Sequence, residues 1–278
     1  MIAFVILHYN NLSDTIECID SIKKLKGNKK IIVVDNHTLN EKDVKALEKK
    51  VNDLILLEEN IGFAKANNIG IELAMNKYNP KFVAVLNNDI MINQYDFIDK
   101  VNVDYKKYKF DMLGGKINTP GDSCNPFPAL KTREMVLKEI AYAKKLIKIY
   151  NNSFLYFLLK NYLKIKHTIK KPVKMTNGKR LQKNVALHGC AIVFSKNYIE
   201  KYKDPFYKET FLFHEEDFLY ERIKKNHLIS VYNPKLEVYH KEGSSLKRSF
   251  KNERFKKLFR EQERLKSLYL LEKYMKED

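Results

Sequence analysis

Four short apolar runs, Ile2–Leu7, Ile31–Val34, Leu54–Leu57 and Phe82–Leu86, recur through the first third of the chain. Each is too short for a helix and shows no alternation of polar and apolar residues, which predicts strands buried on both faces. Helical spacing fills the intervals. Leu12, Ile16, Ile19, Ile22 and Leu25 repeat at three and four residues, with capping oxygens in Asn11-Leu12-Ser13-Asp14 and a stop at Gly27-Asn28. Glu41–Val51 reads as an exposed helix, and Phe63–Tyr78 carries apolar residues at 63, 66, 69, 73 and 74. Strands alternating with helices predict an α/β fold with a mainly parallel, doubly wound sheet. Such sheets bind ligands at the carboxyl ends of their strands. That rule points to Tyr9-Asn10, Asp35-Asn36 and Asn87-Asn88-Asp89, each of which follows the last apolar residue of its strand.

The later chain is less regular. Strand character returns over Val185–Phe194, around His188-Gly189-Cys190. Glu215–Lys225 reads as a helix, Leu228–Tyr232 and Leu236–Tyr239 as short strands, and Phe250–Met275 as a long helix. Between them, residues 131–183 hold 15 Lys/Arg and 2 Asp/Glu, a net +13, with Leu146, Ile147, Ile149, Phe154, Leu155, Phe157, Leu158 and Leu159 interleaved. Residues 241–278 add +5, whereas 1–130 and 184–240 are each neutral, so the formal charge of +18 belongs to two regions and not to the fold. We expect a domain over 1–245, with 131–183 as a basic helical insertion, and a C-terminal helical appendage over 246–278. Three isolated cysteines, Cys18, Cys124 and Cys190, suit neither a disulfide framework nor a thiolate metal site. With no basic leader before Met1–Leu7 and no apolar run long enough to span a bilayer, a cytoplasmic protein is expected.

Several polar residues stand where chemistry is possible, and each also has a plain structural reading. Asp35 ends a buried strand, where its carboxylate can accept from a base N–H or a ribose hydroxyl, while Tyr9 can stack on a base; Asp-Asn is equally ordinary turn chemistry. Asp89 is a hard oxygen ligand at a strand end, as Mg²⁺ or Mn²⁺ on a diphosphate requires; Asn-Asn-Asp is also a turn. Glu215-Glu216-Asp217 opens a helix, where acids stabilise the dipole, but three in a row beside His214 should repel and raise a pKa toward that of a general base. His240, before Lys241-Glu242-Gly243-Ser244-Ser245, can bind metal or diphosphate or be structural. His8 and His188 read as packing or acceptor-site residues.

Taken in order, Val5-Ile6-Leu7-His8-Tyr9-Asn10, Ile32-Val33-Val34-Asp35-Asn36, Asn60-Ile61-Gly62-Phe63-Ala64-Lys65-Ala66-Asn67-Asn68, Leu86-Asn87-Asn88-Asp89, His188-Gly189-Cys190-Ala191, Glu215-Glu216-Asp217 and Val238-Tyr239-His240 resemble the family-2 glycosyltransferases of GT-A fold, in particular a bacterial rhamnosyltransferase-like branch. The resemblance covers about residues 1–120 and 184–245. It implies an inverting transferase using a UDP- or dTDP-sugar and a divalent cation, Mn²⁺ or Mg²⁺, in cell-surface polysaccharide synthesis. Tyr9, Asp35 and Asn67 would hold the nucleoside, with Asn36 beside them. Asp89 would ligate the metal with His240, Asn87 and Asn88 would position it, and Asp217 would be the general base. The family's usual DXD triplet begins here with Asn87 and so keeps one carboxylate.

Segment 131–183 lies outside the resemblance. It suits either an anionic membrane surface, useful if the acceptor is a lipid-linked saccharide, or an inserted helical pair packed on the fold or on a second subunit in a homodimer. The helix at 250–275 has the same alternatives of membrane, dimer or core. Two other classes compete. A basic nucleic-acid-binding protein would need a basic stripe that the neutral 1–130 and 184–240 do not supply, so no nucleic-acid partner is expected. A nucleotidyltransferase would want a Gly-rich basic loop after the first strand, and none is there.

Overall fold

The computed structural model describes residues 1–120, 125–127, 131–166, 178–241 and 252–277. In chain order the strands are β1 (Ile2–His8), β2 (Lys29–Asp35), β3 (Asp53–Leu56), β4 (Phe82–Asn87), β5 (Ile90–Met91), β6 (Met112–Asn118), β7 (Gln182–Lys183), β8 (Ala191–Ser195) and β9 (Ser230–His240). The helices are α1 (Leu12–Lys23), α2 (Glu41–Glu48), α3 (Phe63–Tyr78), α4 (Phe97–Tyr108), α5 (Arg133–Asn151), α6 (Ser153–Lys166), α7 (Lys196–Lys201), α8 (Glu215–Lys225) and α9 (Glu253–Lys276).

Every residue of β1 is buried because α1 and α4 cover one face of the sheet, through Cys18, Ile19, Ile22 and Val101 on Phe4 and Ile6. On the other face α3 places Ala66 and Ile71 against Val5 and Val34. The sheet order is β3-β2-β1-β4-β8-β6-β9-β5, with β7 on β9. The first four strands are parallel. The remaining pairings add antiparallel strands to a mainly parallel sheet, because β8 runs antiparallel to both β4 and β6, β9 runs parallel to β6, and β5 runs antiparallel to β9.

Two expected elements change shape. The strand read over Val185–Phe194 is regular only from Ala191, because side chains take the backbone groups before it. Asn125 Oδ1 accepts from His188 N at 3.0 Å, and His188 Nδ1 accepts from Cys190 N at 3.1 Å. The two short strands expected at 228–232 and 236–239 are one strand, β9. Pro234 has no N–H for the ladder, and the chain absorbs it in a bulge where pairing jumps from Asn233 to Glu237.

The basic segment does contain a helical pair, α5 and α6, while residues 167–177 of it lie outside the described residues. Val136, Ile140 and Ala143 of α5 pack with Leu268 and Leu271 of α9 and Phe218 of α8. The core-packing alternative therefore accounts for the buried face of α9; residues 250–251 of that expected helix and the expected boundary at 245 lie outside the described residues. On its other side α8 is stapled by Arg222, whose Nη1 donates to Tyr198 Oη and the carbonyls of Asp204 and Pro205 at 2.7–3.0 Å.

Candidate active site

Strand order reverses between β1 and β4, since the chain winds from β1 to β2 and β3 and then crosses to β4 on the other side. The crevice at the carboxyl ends of these strands is where such sheets take ligands. Asn88 builds its floor. Its buried side chain donates to Asn10 O and to Thr15 Oγ1, both at 3.1 Å, and Thr15 Oγ1 lies 2.6 Å from His8 Nδ1. Asn88 thus fixes the end of β4 to the turn after β1. Burial lowers the His8 pKa against the opposing charges of Asp35 and Asp43. Asn87 is half-buried, and its backbone N–H donates to Cys190 O at 2.9 Å.

Asp89 and His240 meet because Ile90 of β5 pairs with His240 of β9. His240 Nε2 lies 3.1 Å from Asp89 Oδ1. The approach lacks hydrogen-bond alignment, and Asp89 Oδ1 and His240 Nδ1 are buried without a hydrogen-bond partner among the described residues. Two donors bound cis to one Mg²⁺-sized ion at about 2.0–2.1 Å sit roughly 3 Å apart. The pair therefore fits two ligand positions of a divalent cation. Among the described residues no group of three or more His, Cys, Asp or Glu could hold an ion, so the remaining positions would fall to phosphate and water oxygens, as is usual for Mg²⁺. Lys241 fixes the end of β9: its N–H donates to Asp89 O at 3.1 Å and its Nζ pairs with Asp14 at 3.0 Å and Glu17 at 2.6 Å.

The turn at 188–190 connects this floor to the acidic cluster. While Cys190 O receives Asn87 N, Gly189 N donates to Glu216 Oε1 at 2.9 Å. His188 Nδ1 and Glu216 Oε1 are 3.6 Å apart, but both accept from backbone N–H groups, so they are neighbours and not an ion pair. The Nδ1 acceptor role puts the His188 proton on Nε2, and its ring stands 6.3 Å from that of His240.

Phe213 and His214 both adopt positive φ, 75° and 68°, immediately before α8, a strained turn that aims the first helical residues. α9 supports it, with Ser267 Oγ donating to Leu212 O at 2.8 Å. His214 Nδ1 is 2.7 Å and Lys131 Nζ 3.0 Å from Asp217 Oδ2. Burial pushes the Asp217 carboxyl up, but the His214 hydrogen bond and the Lys131 charge outweigh it and hold it below the usual carboxylate range. The raised pKa expected within this acidic cluster therefore does not belong to Asp217. The rise falls on Glu215, pushed up to about 8 by burial and then by the Glu216 carboxylate. At neutral pH the cluster therefore holds an ionised Asp217 beside a protonated Glu215, two carboxyls separated by environment.

On the other side of the crevice, Asp35 accepts from Thr38 N, Thr38 Oγ1 and Leu39 N at 3.0–3.1 Å. Each carboxylate oxygen accepts two of these bonds, which fix Asp35 at the start of the following turn. Asn36 latches the next loop, donating to Asn60 Oδ1 at 2.8 Å and accepting from Ile61 N at 3.0 Å. Asn67 donates to Phe63 O at 2.9 Å, and its Oδ1 is buried without a partner among the described residues. Tyr9 is half-buried at the exit of β1.

The sequence model of glycosyl transferase family 2 matches residues 3–203. The chain belongs to glycosyl transferase family 2. This membership decides for a glycosyltransferase among the classes left open by the sequence, and the α/β GT-A-like fold agrees. Structures similar to it include S. aureus TarS 1-349, at 13% identity and a TM-score of 0.55 over 86% of this chain and 60% of that one. S. aureus TarS 1-349 in complex with UDP-GlcNAc is similar at 14% identity and a TM-score of 0.53, over 90% and 61%. The chain thus spans about 60% of the length of these structures. No curated protein matches it in sequence.

The family match ends before Asp217 and His240, which the fold brings to the same edge as Asp89. Lys131 is invisible to sequence reasoning: it stands 86 residues from Asp217, and no local pattern signals the pairing.

Proposed function

We propose that this family 2 member is an inverting glycosyltransferase that moves a sugar from a UDP- or dTDP-sugar to a saccharide or lipid-linked saccharide acceptor in cell-surface polysaccharide synthesis. The observation that carries the reading is the 188–190 turn, which holds the Asp89 strand end through Cys190 O and the Asp217 helix through Gly189 N. A leaving-group site and a base site are thereby set on one rigid support. The complex of TarS with UDP-GlcNAc, a structure of similar fold, supports the donor class by analogy.

In this reading Tyr9, Asp35 and Asn67 receive the nucleoside, with the unpartnered Oδ1 of Asn67 taking a donor from base or ribose. Asn36 and Asn88 hold the loops that frame it. Asp89 and His240 would hold a divalent cation, Mn²⁺ or Mg²⁺, which would supply positive charge to the leaving diphosphate. Asp217 takes the proton of the acceptor hydroxyl. Its Oδ2 is occupied by His214 and Lys131, so Oδ1 is the receiving atom. The hydroxyl oxygen then attacks the anomeric carbon in line with the departing diphosphate and inverts it.

The test is Asp217→Asn. Calorimetry should show nucleoside diphosphate binding as in the wild type, while sugar transfer falls by about 10²–10⁴-fold, the span usual for loss of a general base. Full activity in the variant removes the base assignment, and retained anomeric configuration in the wild-type product removes inversion.

A further inference from the structure

Helix α6 begins firmly, with Asn152 Oδ1 accepting from Phe154 N at 3.0 Å and Leu155 N at 3.1 Å, and it exposes much of its apolar surface. Phe154 is 65% exposed, Leu155 41%, Phe157 59%, Leu158 47% and Tyr162 54%. At 100° per residue these five side chains occupy one arc of roughly 160°, and Tyr156 lies about 180° from its centre. Tyr156 is the side that packs: its ring meets Tyr150 of α5 edge-on at 5.8 Å, and Lys257 of α9 lies 5.6 Å over it. The exposed arc is therefore the outward face of a docked helix. Together these side chains expose roughly 500 Å², at the upper end of the patches found on monomeric proteins.

The charges around the arc identify its partner. Residues 131–166 hold nine basic and two acidic residues. Both acids are engaged, Glu134 by Lys138 and Glu139 by Lys131 and Arg264. Lys144, Lys145, Lys148 and Lys160 are exposed, and none of them forms an ion pair among the described residues. A convex apolar strip on a helical pair that also exposes lysines without acidic partners suits an interface in which hydrocarbon lies beneath and anionic headgroups lie nearby. A second copy suits it poorly, since a two-fold contact through this face sets lysines against the same lysines.

We propose that α6, with the lysines of α5 beside it, docks the protein on an anionic lipid bilayer. The surface stands apart from the donor site, so its test does not depend on the transferase reading. Full-length protein is co-sedimented with vesicles of phosphatidylcholine alone or mixed with phosphatidylglycerol. Wild type should pellet with the mixed vesicles only. The triple variant Phe154→Ser, Phe157→Ser, Leu158→Ser should lose binding on the order of ten-fold or more. Replacing Lys144, Lys145, Lys148 and Lys160 by Ala should weaken it by about five-fold per lysine. Circular dichroism and nucleoside diphosphate binding, unchanged in both variants, establish that they fold and keep the donor site separate. Equal pelleting of wild type and the triple variant overturns the proposal. So does a vesicle-free wild-type dimer that the triple variant converts to monomer, which would make the arc a subunit interface.

Discussion

Replacing Gly62 by Ala should unsettle both sides of the candidate site at once. Gly62 has φ 87° and ψ 176°, a region that is essentially glycine-only and costs about 1–3 kcal/mol for another residue. An added Cβ would stand 2.5 Å from Phe211 O and 2.8 Å from Phe211 Cα, so the backbone must retreat by about half an ångström or more. That retreat stretches the 2.8 Å hydrogen bond from Phe63 N to Phe211 O, worth about 1 kcal/mol. The sum is about 2–4 kcal/mol, a large part of the ~5–15 kcal/mol that holds a domain together. For a chain of this size it corresponds to a melting temperature lower by roughly 5–15 °C. Gly27→Ala is the control, because Gly27 also has positive φ, 107°, but its Cβ would meet only the Ile98 side chain at 3.3 Å; a loss of about 1–2 kcal/mol is expected from backbone strain alone. Urea denaturation of both variants measures the difference. If Gly62→Ala is no less stable than Gly27→Ala, the close approach to Phe211 is not what requires a glycine there.

Two further outcomes follow from the charged groups. Asp89→Ala and His240→Ala should each abolish the Mn²⁺-dependent part of nucleoside diphosphate binding, and calorimetry showing no metal dependence in the wild type counts against a cation at this pair. Lys131→Met removes a cation that lowers the Asp217 pKa, leaving His214 as the remaining favourable neighbour against burial. With the folded pKa raised, the ionised form is lost at higher pH, so the acid limb of kcat/KM should move up. The stability that Asp217 contributes is present above its unfolded pKa and lost as pH falls through the depressed folded one, so the variant, with less depression, should be less stable near neutral pH and lose less of its stability on acidification. An unmoved limb would separate Lys131 from Asp217.

Legibility in the sequence depends on whether local pattern or distant pairing decides the structure. Strands β1, β2 and β4 are apolar throughout their cores because helices cover both faces, and the periodicity of α3 predicts its observed limits, Phe63–Tyr78. Strand β6 leaves no such signal although it is central, since Gly114-Gly115 at its middle has weak strand propensity; Gly115 fits because its Cα faces Leu236 O in the β9 bulge, where a Cβ would come within 2.2 Å. β5 is only two residues long, and α4 is likewise absent from the sequence-based expectations. In the site, strand-end position points to Asp89 and Asp35, because that signal is local. The sign of the Asp217 shift is not readable, because it depends on Lys131 arriving from just ahead of α5. Nor does the sequence show that Asn36 and Asn88 spend their amides on loop carbonyls and hydroxyls.

The position of β9 bears on when this protein becomes competent during folding. Strands β3, β2, β1, β4, β8 and β6 can close without it, since all lie before Ser230 in the chain. β9 then inserts between β6 and β5, making the longest-range strand pairing of the sheet, Ile90 with His240. Such non-local pairings form late because the closure of a long loop must precede any reward. The Asp89–His240 pair exists only once that last strand is seated. A partly folded chain can therefore bury most of its core and still lack His240, one of the two donors a cation would need, so chemistry at the site reports a completed fold.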